Sequence, residues 1–198
     1  MDALTALVQS LGLAYASGIS LYATVFFVGL AEHQGWIGHL PGALGILGDP
    51  IVFGAAGVLT VVEALALLVP GIATAWETVH TAIRPFAAAA LAVLATWGSP
   101  RVAVVAALLG GALGLATHAT KLGLRAAVDA SPEPVSNAAV TTAELGVIAA
   151  LAWAIWNHPW LSLAAALALL TLTVLLVRTV WRGIARAVRS LWGRPAAS

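Results

Sequence analysis

Apolar runs long enough to cross a bilayer recur along this chain, and few charges interrupt them. Of 198 residues, 61% are hydrophobic and 9% charged, whereas a soluble domain carries roughly 25% charged residues. So little charge cannot cover a water-facing surface. In lipid the shortage is no handicap, because an α-helix satisfies its own backbone groups there. The expected fold is therefore an all-α integral membrane protein of about six transmembrane helices, forming one membrane domain over residues 1–198. A soluble enzyme domain is excluded by the same argument, and no enzymatic activity is expected.

The formal net charge of +1 names no acidic partner, nucleic acid included. With no cysteine, a disulfide framework, thiolate metal sites and a Cys nucleophile are excluded. The five histidines have no ligand spacing, and there is no nucleotide-binding loop or nucleophile elbow. No cofactor and no metal are expected. Ala14-Tyr15-Ala16 has the small residues of a leader cleavage site. Asp2, the lack of any early Lys or Arg, and Gln9 and Ser10 argue against a leader. The segment reads as the first span.

A span needs about 20 apolar residues. The first runs from Ala3 to Ala31, interrupted at Ser17-Gly18-Ile19-Ser20, and a polar loop follows from Glu32 to Asp49. The second is Pro50 to Val69, closed by Pro70-Gly71. Ile72 to Ile83 is amphipathic, with Trp76, Glu77 and His80, and the third span is Pro85 to Trp97. The fourth is Val102 to about Thr120, the fifth Ala138 to Trp156 and the sixth Trp160 to Val180. Trp97, Trp156, Trp160 and Trp181 stand at span ends, where aromatic rings favour the headgroup zone.

Six spans put both termini on one side. On that side fall Arg84, Lys121, Arg125, Arg178, Arg182, Arg186, Arg189 and Arg194, against Arg101 alone on the other. Basic residues mark the cytoplasmic face. Both termini are therefore expected in the cytoplasm of a cell with a bacterial-type inner membrane.

The halves match in order at three places. Gly12-Leu13-Ala14 pairs with Gly114-Leu115-Ala116. Asp49-Pro50 leads to Glu63 as Ser131-Pro132 leads to Glu144. Arg84-Pro85-Phe86-Ala87-Ala88-Ala89 pairs with His158-Pro159-Trp160 and its following Ala run. Two halves of three spans each, about 3–98 and about 101–181 with a basic tail at 182–198, predict inverted repeats. Such repeats are typical of secondary transporters, with a site near the midplane between broken helices.

Ionisable groups within spans are costly and face a bundle interior or cavity. Glu63 and Glu144 are the clearest, and either serves as a proton or cation site or holds the halves together. Ser17, Gly18 and Ser20, with Tyr22 and Thr24, are placed to unwind the first helix and line a cavity. For Gly18 alone, close packing of small residues explains as much. His118, Lys121 and Arg125 share a helix face and can attract an anion or pair with acids, and His80 and Arg84 form a similar one-turn pair. Arg84, Arg125, Arg182 and Arg186 read as contacts to anionic headgroups. Ser136 or Asn137 can cap the fifth span, and Asn137 is a candidate binding residue.

The run Gly12-Leu-Ala-Tyr-Ala-Ser-Gly-Ile-Ser-Leu-Tyr-Ala-Thr24 is one part of a larger pattern. The others are Pro70-Gly71 through Trp76-Glu-Thr-Val-His80-Thr-Ala-Ile-Arg84-Pro85, and His118-Ala-Thr-Lys121 through Ser131-Pro-Glu-Pro-Val-Ser-Asn137. Together they resemble the uncharacterised bacterial membrane family catalogued as domain of unknown function 4126, over nearly the whole chain. The resemblance implies a prokaryotic multi-span protein and carries no catalytic residue with it.

The residues favour a small secondary transporter or channel for an ion or small solute, with the intramembrane carboxylates as coupling groups. The alternative is a protein that handles anionic lipid or assists assembly through its basic face, and a membrane enzyme comes third. The lipid bilayer is the expected partner. A chain this short is compatible with a homodimer.

Overall fold

The computed structural model describes residues 3–129 and 134–192, all helix or short connection with no strand among them. Ser131-Pro132-Glu133 and Gly193-Arg194-Pro195 lie outside the described residues. Seven α-helices follow in order: α1 (Ala3–Ile19), α2 (Leu21–His33), α3 (Pro50–Ala66), α4 (Pro70–Ala95), α5 (Pro100–Asp129), α6 (Pro134–Asn157) and α7 (Pro159–Trp192). Five of them open on a proline, whose missing N–H is one the first turn leaves free anyway. Four helices are long and apolar enough to cross a membrane: Gly71–Ala95, Pro100–Ala126, Asn137–Asn157 and Pro159–Gly183. The chain is built as a multi-pass membrane protein.

The first expected span is two helices. Ser20 alone is extended (φ −149°, ψ 118°) and caps α2, its hydroxyl accepting from the Ala23 amide at 3.2 Å. Neighbouring positions show that the chain reverses there. Along α1, Ala14 lies by Gly110, Gly18 by Gly114 and Thr117, and the Ile19 carbonyl by Lys121, so α1 runs parallel to α5. Along α2, Phe26 meets Gly57, Gly29 meets Phe53, and Ser20 meets Glu63, so α2 is antiparallel to α3. Since α4 packs antiparallel to α5 through Arg84–His118 and Ala92–Gly110, the odd-numbered helices run one way and the even-numbered ones return.

This corrects two expectations. Seven alternating helices put the start of α1 and the finish of α7 at opposite ends of the bundle, not at one end. The symmetry drawn from the sequence also fails to hold as drawn. Helices α1 and α5, which carry Gly12-Leu13-Ala14 and Gly114-Leu115-Ala116, are parallel, whereas α3 and α6, which carry Glu63 and Glu144, are opposed. One in-plane two-fold axis cannot relate both pairs. The physical reason is that the polar interruption is a reversal, not a kink within a single span.

Pro85 also sits inside α4, so the amphipathic segment and the third expected span are one helix of 26 residues. An interior proline forfeits a backbone hydrogen bond, which membrane helices tolerate when neighbours support the site. Here α5 approaches closely, with Gly111 facing the Pro85 carbonyl and Gly114 facing Ala88.

The bundle has two unlike ends. At the loop end, where α2 finishes and α5 and α7 begin, residues 34–49 fold back over the helices. Ile37, Leu40, Leu44 and Leu47 join Leu13, Val28, Leu91 and Ala95 in one apolar core. Gly35 and Gly42 take positive φ (70° and 60°) to make the turns, a conformation that costs glycine little. The Ala43 amide ties the loop to the Leu94 carbonyl. The tail end, where α7 finishes, is held by charge.

Candidate functional site

Three carboxylates and three cations meet inside the bundle, around the Ser20 break. Glu63 comes from α3, Glu77 and Arg84 from α4, Lys121 and Arg125 from α5, and Glu144 from α6. Three against three leaves no net charge. An unpaired buried ion costs several kcal/mol, so a cluster this deep persists because the signs cancel. Arg84 is wholly buried and Lys121 is 5% exposed.

Lys121, the chain's one lysine, is the centre. Its ammonium lies 2.9 Å from Glu77, 3.3 Å from Glu144 and 3.6 Å from Glu63. It also donates to the Ile19 carbonyl at 2.8 Å, the final carbonyl of α1. The break is thus dressed with matching charge. A cation meets the partly negative C-terminus of α1, and the Glu63 carboxylate accepts the hydroxyl of Ser20 at the partly positive N-terminus of α2.

Arg84 forks onto Glu77, at 2.8 and 3.4 Å, and its Nη2 donates to Glu63. Its Nη1 also lies 2.8 Å from Nδ1 of His118. A guanidinium can only donate, so His118 Nδ1 accepts and the ring proton sits on Nε2, which donates to Thr81 Oγ1 at 2.9 Å. The Thr81 hydroxyl then donates to the Glu77 carbonyl. On the other flank Arg125 donates to Thr141 at 2.9 Å and to Glu144 at 3.0 Å.

The sequence-derived residues sort clearly. Glu63, Glu144, Ser20, His118 and Lys121 come together. Ser17 is buried but donates to the Ala14 carbonyl inside α1. Gly18 is helical, and a Cβ there would come within 2.7 Å of the Gly114 carbonyl; its role is close packing. Tyr22 stands one layer away, donating to His80 Nε2 at 3.1 Å, with Trp76 stacked on His80. Asn137 is buried, and its Oδ1 lacks a hydrogen-bond partner among the described residues. Arg84 and Arg125 are not headgroup contacts: both are buried in ion pairs, Arg84 with Glu63 and Glu77 and Arg125 with Glu144. Arg182 and Arg186 are exposed on α7.

Glu77 was the missed member. Ending the amphipathic segment at Pro85 placed it outside the membrane. Its signal was Glu77, His80, Thr81 and Arg84, spaced i, i+3, i+4 and i+7 on one helical face.

Three cavities adjoin the cluster, one of them, of about 90 Å³, lying between α4 and α5 beside Glu77 and Arg125. A cleft of about 250 Å³ between α1, α5, α6 and α7 is walled by apolar side chains, with Lys121 and Glu144 among its lining. A pocket of only about 10 Å³, lined by Ser20, Thr60, Glu63, Lys121 and Glu144, lies beyond it. That is room for about one water. Among the described residues no three His, Asp or Glu side chains are grouped to hold a metal.

The fold and this cluster define a polytopic helical membrane protein with a charge-balanced interior. The family model described as Domain of unknown function (DUF4126) matches residues 7–179, and the chain belongs to that family. Neither the curated proteins nor the solved structures gave a match.

Proposed function

We propose that this protein is a small cation- or proton-coupled secondary transporter whose coupling site is Lys121 with Glu63, Glu77 and Glu144. The observation that carries the reading is one ammonium shared by carboxylates of three helices at a helix break. A proton or small cation arriving at those oxygens competes with Lys121. Releasing Lys121 frees the end of α1 and loosens the contact between α5 and α3, α4 and α6 together. A charge-neutral cluster cannot gain a cation without such a rearrangement, which is the requirement for coupling. The reading is a non-enzymatic one.

Handling of anionic lipid is the second reading. The apolar cleft beside Lys121 favours it, but Arg84 and Arg125 are committed to acids and do not face headgroups.

For orientation, the exposed Arg178, Arg182 and Arg186 lie toward the tail end and Arg101 at the loop end. The basic bias supports a cytoplasmic tail end in an inner membrane, with the start of α1 on the opposite face. Cysteines introduced at Ala3 and Gly38 should label from one side and one at Gly183 from the other. Labelling of Ala3 and Gly183 from the same side would refute the seven-pass path. Transport itself is tested by reconstituting the full chain in liposomes and imposing H⁺, Na⁺ or K⁺ gradients. Flux of at least one cation above empty vesicles is expected; none would overturn the reading.

A further inference from the structure

The free hydrogen-bonding capacity of the large cleft is mostly of one kind, the Tyr15 hydroxyl being the exception. Lys121 lines it, but its three N–H groups are taken by Ile19, Glu77 and Glu144. Thr117, Thr120 and Thr173 also line it. Each hydroxyl gives its hydrogen to the carbonyl four residues earlier, at 2.9, 2.7 and 2.8 Å. Each therefore keeps lone pairs and has no hydrogen to offer. Glu144 stands on the wall shared with the small pocket, and its Oε1 is buried without a hydrogen-bond partner. Apart from the Tyr15 hydroxyl, the rest of the lining, including Ile19, Leu124, Leu169 and Leu170, is apolar.

Against an unpartnered carboxylate oxygen and three threonine lone-pair sites, the single Tyr15 hydroxyl offers an anion little. The cleft suits a molecule with an N–H-donating positive end and a small apolar body. We infer that the cleft between α1, α5, α6 and α7 binds a small alkylammonium, with its charged end on Glu144 and its apolar body against Ile19, Leu169 and Leu170. The volume of about 250 Å³ holds roughly five to eight non-hydrogen atoms at about 30 Å³ each. The ligand's positive end also draws on the carboxylate that Lys121 and Arg125 share, so binding in the cleft weakens the grip of Lys121 on α6. This assigns the substrate class of the transport reading and rests on it.

The test is calorimetric titration of the full chain in nanodiscs with n-butylammonium, n-butanol and butyrate, corrected for empty nanodiscs. Saturable binding of butylammonium alone is expected. Glu144→Gln, which keeps the size and removes the charge, should weaken it at least tenfold. Thr173→Phe, which fills the cleft away from the ion cluster, should weaken it to a similar degree while leaving thermal unfolding unchanged. Preference for butyrate, or butylammonium binding unaffected by both substitutions, would overturn the inference. So would cation-driven flux in liposomes without butylammonium binding, a result that leaves the transport reading standing. Specific binding without any flux would support the cleft's ligand class and remove transport.

Discussion

The two ends of this bundle are held together by different physics. At the loop end, Leu13, Val28, Leu44 and Leu91 interlock with a folded loop, with Glu32 adding one tie by accepting from the Leu40 amide at 3.1 Å. At the tail end, six charged side chains from four helices surround a helix break. Apolar packing has one good arrangement and resists change. An ion network can trade one partner for another, because a proton or cation can take the place of an ammonium at a carboxylate. The contrast assigns a fixed role to the loop end and a switchable role to the tail end.

Substitution tests that contrast in decreasing order of effect. Arg84→Met should be the most severe, because it leaves Glu63 and Glu77 short of a counter-charge in the interior. Breaking a buried pair in this way costs about 3–5 kcal/mol, visible as a large fall in the unfolding midpoint or as loss of the folded protein. A melt like that of the native chain would mean the cluster is wet and the ion pairs weak. Gly29→Ala should come next. A Cβ there would lie 2.1 Å from the Leu47 carbonyl, which is backbone, so loop and helix must separate at a cost of about 1–3 kcal/mol. Being at the loop end, it should lower stability without changing which cation is moved. A changed ion preference would erase the distinction between the ends. Arg182→Gln with Arg186→Gln should shift stability by less than about 0.5 kcal/mol, since both arginines are exposed.

Much of this was written in the sequence. Helices α5, α6 and α7 were legible from long apolar runs bounded by proline and tryptophan. Ser20 was legible as an interruption, and Glu63 and Glu144 as acids that had to find partners inside. The reversal at Ser20 was not legible, because a polar break has the same composition whether the chain kinks or turns back. That single ambiguity changed the number of helices and, with it, the end of the bundle at which α1 begins. It also undid the repeat symmetry. Pro85 misled in a similar way: it looks like a helix start, yet α4 runs through it. The cut at Pro85 left Glu77 in an amphipathic segment outside the spans and made Arg84 look like a membrane-surface anchor. Arg125 was misread for a related reason. At the end of an apolar run a basic residue looks the same whether it reaches headgroups or an acid on the next helix.

The central claim is that cations act through the carboxylates around Lys121, and current across the membrane tests it most directly. Proteoliposomes of the native chain, Glu63→Gln and Glu144→Gln would be adsorbed on a solid-supported membrane and exposed to a jump in pH or sodium. The native protein should give a transient current, and both Gln variants should lose at least nine-tenths of it while remaining folded by thermal melting. Currents of equal size in all three proteins, or none in the native chain, would contradict the account.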